Sequence, residues 1–172
     1  MFIGLEQLDR CQQLETQQAA ATADMPAPTL WVRFEGFGRG EVPLDLGFSF
    51  LPLPPPLPTG GVQILQTLCE FASDVAPERV PALRDMVGRI NIHRPLGAFG
   101  VLERPGVVYL KPNCLVDLDR PAVDAARYVD QQAGVLLHVL SLFGDALRDV
   151  AAGTSTPVQA LAQTTMAALF AA

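Results

Sequence analysis

The chain has 172 residues, 49% of them hydrophobic and 17% charged, with a formal net charge of −6. That balance excludes a disordered chain, and the length suits one domain with its own core rather than two. Lys111 is the only lysine among 12 basic residues. The clustered cations that a phosphate backbone demands are therefore missing, and nucleic acid is not an expected partner.

Residues 2–20 carry Phe2, Leu5, Leu8 and Leu14 among Glu, Gln and Asp, a spacing that predicts an amphipathic first helix. In TLWVRFEGF, Leu30, Val32 and Phe34 alternate with Trp31, Arg33 and Glu35, the period of two of a strand with one buried and one wet face. Gly36, Gly38 and Gly40 close that run, and LDLGFSFLPL repeats the alternation as a second strand paired to the first through the glycine-rich turn. Prolines crowd PLPPPLPTGG and forbid ladder pairing, so this stretch is expected to be an extended connector.

VQILQTLCEF predicts a third strand. A second helix follows, with Pro77 in its first turn and Val80, Leu83, Val87 and Ile90 on one face. Pro95 ends it, and LGAFGVLE and GVVYLK form a hairpin about Arg104-Pro105-Gly106. The strongest pattern runs from Asp119 to Gly153. Ala122, Ala126, Val129, Ala133, Leu136, Leu140, Phe143, Leu147 and Val150 alternate steps of four and three, with Asp119 as candidate N-cap and Gly153 as stop. A short last helix is expected over 157–170, opened by Thr154, Ser155 or Thr156.

The expected fold is α+β, an antiparallel sheet of about five strands with helices, in the order α-β-β-β-α-β-β-α plus a C-terminal helix. The whole of 1–172 reads as a single domain, with 154–172 as a helical extension.

Candidate chemistry is sparse. Cys11, Cys69 and Cys114 form no C-x-x-C pair and stand at no ligand spacing from His93 or His138, so reduced thiols and no metal are expected. The N-terminus lacks the basic start and apolar run of a signal peptide, and no apolar run approaches the ~20 residues of a membrane span. A cytoplasmic protein is expected, with no membrane partner. Gly97-Ala98-Phe99-Gly100 has the letters of a nucleotide-clamping loop, but a hairpin follows where a helix should. Ser49 sits within a strand and lacks a nucleophile elbow. Asp117/Asp119 and Asp145/Asp149 read as a helix cap and a solvated helix face.

Asn91, His93 and Arg94 could meet in one cleft, the sole ground for an enzyme. No catalytic residue, cofactor or metal is assigned. Trp31 among charges on a wet strand face has the character of an interface anchor, and Val135, Leu137, Val139 and Leu142 widen the long helix beyond one seam. Trp31, Arg33, Phe37, Leu137 and Leu142 are therefore the candidate partner-binding residues.

Ile90-Asn91, then Arg94-Pro95-Leu96-Gly97-Ala98-Phe99, then Gly106-Val107-Val108-Tyr109-Leu110 and a long helix resemble the YbjN-like family of bacterial proteins. That family is similar in fold to the type III secretion chaperones. The likeness spans residues 62–153, and the proline connector at 52–58 and the apolar stretch after Gly153 depart from it. It implies a non-enzymatic, commonly dimeric protein that binds other polypeptides. The functional expectation is a non-catalytic chaperone-like or adaptor protein, a homodimer with a polypeptide partner. The alternative is a small-ligand sensor with a pocket between sheet and long helix, where Gly134 and Gly144 leave room.

Overall fold

The computed structural model describes residues 15–19, 29–57, 60–94 and 96–170. Seven strands form one antiparallel sheet: β1 (Glu15–Ala19), β2 (Thr29–Phe37), β3 (Val42–Pro52), β4 (Val62–Ala72), β5 (Ala98–Leu102), β6 (Val107–Lys111) and β7 (Asn113–Asp117). Their spatial order is β1-β2-β3-β4-β6-β5, with β7 also on β4. The helices are α1 (Val80–Ile92), α2 (Ala122–Ala152) and α3 (Pro157–Ala162), with 3-10 turns at Pro77–Arg79 and Ala167–Phe170. The α+β class holds, and the element order differs from expectation in two places.

The first is the expected helix over 2–20. Residues 15–19 are a strand paired to β2 from Glu15↔Arg33 to Ala19↔Thr29. The apolar stripe behind the helix expectation, Phe2 to Leu14, lies outside the described residues. Glu-Thr-Gln-Gln-Ala itself has no such stripe, and pairing along β2 satisfies its peptide groups. The second is β7, hidden behind Pro112. Eleven-residue β4 takes two partners on one side: β6 opposite Cys69 to Ala72, and β7 opposite Val62 to Gln66. Pro112 sits between them, its carbonyl accepting from the Thr67 N–H at 3.0 Å. Proline lacks the N–H that would complete that pair, so it marks a joint in one long strand rather than its end.

Register assigns the faces. Leu30, Val32 and Phe34 lie opposite Phe48, Leu46 and Leu44, and Leu46 and Phe50 opposite Cys69 and Leu65. With Val108, Leu110 and Val116 these make the helix-facing side of the sheet, buried in one cluster with Leu83, Met86 and Ile90 of α1, Leu136 to Val150 of α2, and Ala160 and Leu161 of α3. The alternation read from β2 and β3 thus gives the inside directly.

In α2 the stripe from Leu136 onward is buried, whereas 122–135 contain no buried residue. The helix spans 31 residues, roughly 46 Å at 1.5 Å per residue. Its start is not capped by Asp119. Pro121 holds the N-cap position with no side-chain bond, and Asp119 lies two residues too early, against Gly61. Gly153 does end it, at φ 76°, the left-handed position glycine takes without strain. Thr156 opens α3 through a capping box with Gln159.

The β5–β6 hairpin turns at Arg104-Pro105-Gly106 as expected. Gly106 has φ 88°, and its carbonyl accepts from the Val75 N–H at 2.9 Å. A Cβ there would stand 2.6 Å from the Val75 carbonyl oxygen. Gly106→Ala is expected to cost about 1–3 kcal/mol, through strain and this clash. Urea unfolding with unchanged m-value would register the loss; a midpoint equal to wild type would contradict it.

Candidate binding surface

The other face of the sheet carries none of the buried helix-facing side chains. It presents Thr29, Trp31 and Arg33 from β2; Asp45, Gly47, Ser49 and Leu51 from β3; Ile64, Gln66, Leu68 and Glu70 from β4; Tyr109 from β6; and Leu115 from β7. Trp31, Leu51, Ile64, Leu68 and Tyr109 are half-buried, and Leu115 is 62% exposed. Two aromatic side chains lie across glycines on neighbouring strands. Trp31 is paired with Gly47, where a Cβ would approach the indole Cη2 and Cζ3 to 3.0 Å, and Tyr109 is paired with Gly100, where a Cβ would strike the phenol. Each glycine lets a ring lie flat on the backbone. The result is a shallow apolar floor with two aromatic plates.

Two pairs of polar side chains on this floor are mutually engaged. The Thr29 and Ser49 hydroxyls are 2.7 Å apart, and Arg33 grips Asp45 with Nε and Nη2, each at 2.7 Å. The Arg33 guanidinium holds the Asp45 carboxyl below its ordinary value near 3.8 by hydrogen bonding and charge. A lowered carboxyl stabilises the fold above that value and loses its contribution as pH falls through the folded-state one. Both side chains are nearly half exposed, so the loss is expected to stay under about 1 kcal/mol. A pH titration of urea midpoints between pH 6 and 3 for wild type and Asp45→Asn would resolve it, the variant lacking this increment.

The five candidate residues do not share one surface. Trp31 and Arg33 lie on the outer face. Phe37, beyond a bulge in β2, and Leu137 and Leu142 of α2 pack against the core on the helix side. Helix α3 also belongs to that side, so it does not cover Trp31. The widened apolar face of α2 meets the same cluster, with Val139 buried and Val135, Leu137 and Leu142 against it.

The acidic pair on α2 is more than a solvated face. The Asp145 carboxylate accepts from the Arg39 backbone N–H at 3.0 and 3.2 Å, and Asp149 binds the Arg39 guanidinium at 2.7 Å. Arg148 reaches the Phe71 and Phe37 carbonyls at 3.3 and 3.5 Å. The β2–β3 turn is thereby clamped to the helix. Its sequence signal was an arginine at a glycine-rich turn with two aspartates a helical turn apart, uninformative until the turn meets the helix.

Asn91 and Arg94 both meet Phe99, and His93 meets Phe170. Asn91 donates to the Phe99 carbonyl and accepts from the Phe99 N–H, both at 3.0 Å. The His93 ring meets Phe170 edge-on at 5.3 Å. Arg94 lies over the Phe99 ring at 5.0 Å and donates to the Leu96 carbonyl at 2.6 Å. Burial lowers Arg94 to about 10, which leaves it charged at neutrality. Among the described residues no group of three or more His, Cys, Asp and Glu is placed to hold a metal ion, and no helix is long and apolar enough to cross a membrane. Burial raises the Cys114 and Cys69 thiols, which keeps both protonated at neutrality. A cleft of about 240 Å³ opens beside Arg120, Arg127 and Tyr128 at the start of α2, and another of about 200 Å³ lies between α2, Arg39 and residues 160–165. Within the fold, the space beside Gly144 is met by Leu140 at 3.9 Å.

No protein-family model matches the chain, and no curated protein is significantly similar to it.

Asn91 occupies the outward peptide groups at Phe99 of β5. Removing it in Asn91→Ala leaves a half-buried N–H and C=O without their partner. The expected cost is about 1–3 kcal/mol, measurable by chemical denaturation, with faster amide exchange at Phe99. An unaffected midpoint would mean that water replaces the amide fully.

Proposed function

We propose that the chain is a non-catalytic, chaperone-like or adaptor protein that binds a polypeptide partner on the outer face of its sheet, works as a homodimer and resides in the cytoplasm. One observation carries the reading: a shallow apolar floor with Trp31 and Tyr109 lying on glycines, beside two polar pairs that satisfy each other, Thr29 with Ser49 and Arg33 with Asp45. Such a floor has little to offer a small polar substrate. It suits the apolar side chains of an extended or partly folded chain, with tryptophan as the anchor. The YbjN-like resemblance, and with it the likeness to secretion chaperones, stays part of this proposal. It is supported by the succession of three strands, a helix, a hairpin and a long helix from β2 to α2, into which β7 is inserted before the long helix.

Trp31 is the only tryptophan, so its emission reports directly on occupancy. Titration with a reduced, carboxymethylated and permanently unfolded polypeptide is expected to shift that emission to the blue. Trp31→Ala is expected to weaken binding at least about tenfold, measured by calorimetry, in line with a loss of about 2 kcal/mol for a tryptophan anchor. Unchanged emission throughout the titration, or equal affinity for the variant, would defeat the reading.

A further inference from the structure

Besides β1 at its other end, the sheet has two stretches that no further strand of the described residues pairs with on the side away from β4: β5 and β7. They are treated differently. On β5, the outward N–H and C=O of Phe99 are taken by the Asn91 side chain at 3.0 Å each. Among the described residues nothing comparable stands at β7. The Pro112 carbonyl and the Leu118 N–H both point to β4, accepting from Thr67 at 3.0 Å and donating to Gly61 at 2.8 Å. Alternation then turns the N–H and C=O of Asn113, Leu115 and Asp117 outward. Among the described residues no hydrogen bond reaches them. A bare edge of this kind is a template for a further strand.

We infer that this edge pairs with the same edge of a second copy, β7 against β7, antiparallel about a two-fold axis at Leu115. The sequence Asn-Cys-Leu-Val-Asp is self-complementary in that register. Leu115 meets Leu115, exchanging both peptide hydrogen bonds, and Asn113 meets Asp117, an amide donor against a carboxylate with no like charges opposed. Leu115 has the exposure of a side chain awaiting cover, at 62%. Leu118 and Val123, in the turn and first helical turn after β7, are 36% and 64% exposed. On the helix side, Ala125, Val129, Ala133 and Val135 of α2 pack against the core only partly buried, while the stripe from Leu136 onward is covered. The second copy brings its own α2 to that partly covered half. The seam supplies the homodimer of the proposed function with its contact and rests on that reading. It also joins the two outer faces, and so the two Trp31 plates, into one surface.

Light-scattering mass of the full chain tests the seam. Wild type is expected as a dimer. Leu115→Lys, which sets two ammonium groups against each other at the axis, is expected to weaken association at least about tenfold, and mixing it with Leu115→Glu is expected to restore the dimer. Leu102→Lys, at the exposed side chain of the plugged strand β5 (45%), is expected to leave the dimer intact. A second variant, Leu115→Cys, is expected to cross-link on mild oxidation beyond the wild-type background, since residues directly opposite in an antiparallel hydrogen-bonded pair stand about 5.5 Å apart at Cα. A monomeric wild type, a dimer indifferent to Leu115→Lys, or equal disruption by Leu102→Lys would overturn the inference. The polypeptide titration of Trp31 is read independently of mass. A monomer that still binds the unfolded chain would sink the seam and the homodimer but not the binding face, and a dimer that does not bind it would sink the binding face alone.

Discussion

Strand β4 must satisfy peptide groups on both of its sides over eleven residues, and the molecule is arranged around how it does so. On one side β3 matches it from Asp45↔Glu70 to Pro52↔Gln63. On the other, β6 and β7 share the work, hinged at Pro112. Because β5 reaches only as far as β6, the sheet is stepped on that side. Because alternation holds along β4 as far as the irregularity between Glu70 and Ala72, Leu65 and Cys69 face the helices, while Ile64, Gln66, Leu68 and Glu70 face away. The same ladder thus builds the core, the outer floor and the bare edge.

The helices are subordinate to that ladder. Buried side chains of α1 and the C-terminal half of α2 meet the sheet's inner face, and the Arg39 clamp to Asp145 and Asp149 fixes the far end of α2 to the β2–β3 turn. These carboxylates lie on the outside of the helix, so their role is to hold a loop in place. Each exposed pair is worth little by itself. Together with Arg148, which reaches two strand-end carbonyls, they tie three elements at one corner.

What was legible in the sequence was whatever has a local period. Strands β2, β3 and β4, the face of α1 and the long stripe of α2 all follow from alternation or from steps of three and four, and Gly153 from its place just past that stripe. What was not legible depends on distant partners. Glu15–Ala19 becomes a strand because β2 offers an edge, not because its letters ask for one. Asn113–Asp117 was concealed by a proline whose missing donor falls at a joint. Of the candidate surface, Trp31 and its outward orientation could be read directly. Its seat on Gly47 could not, since it requires the cross-strand register. Phe37, Leu137 and Leu142 were grouped with it by hydrophobicity alone, and the sheet puts them on its opposite side.

The step in the sheet answers a question of slippage. A strand seated on the outer edge of β7 lies level with β5, since both stand one place beyond the strands that pair with β4, and the start of β5 beside Pro112 bars it from creeping along toward β6. The available track is the length of β7, five residues. So short a track allows a modest number of bonds, which favours contacts that exchange over contacts that lock. The stagger between β5 and β7 thereby limits both the alignment and the strength of whatever meets β7 edge to edge.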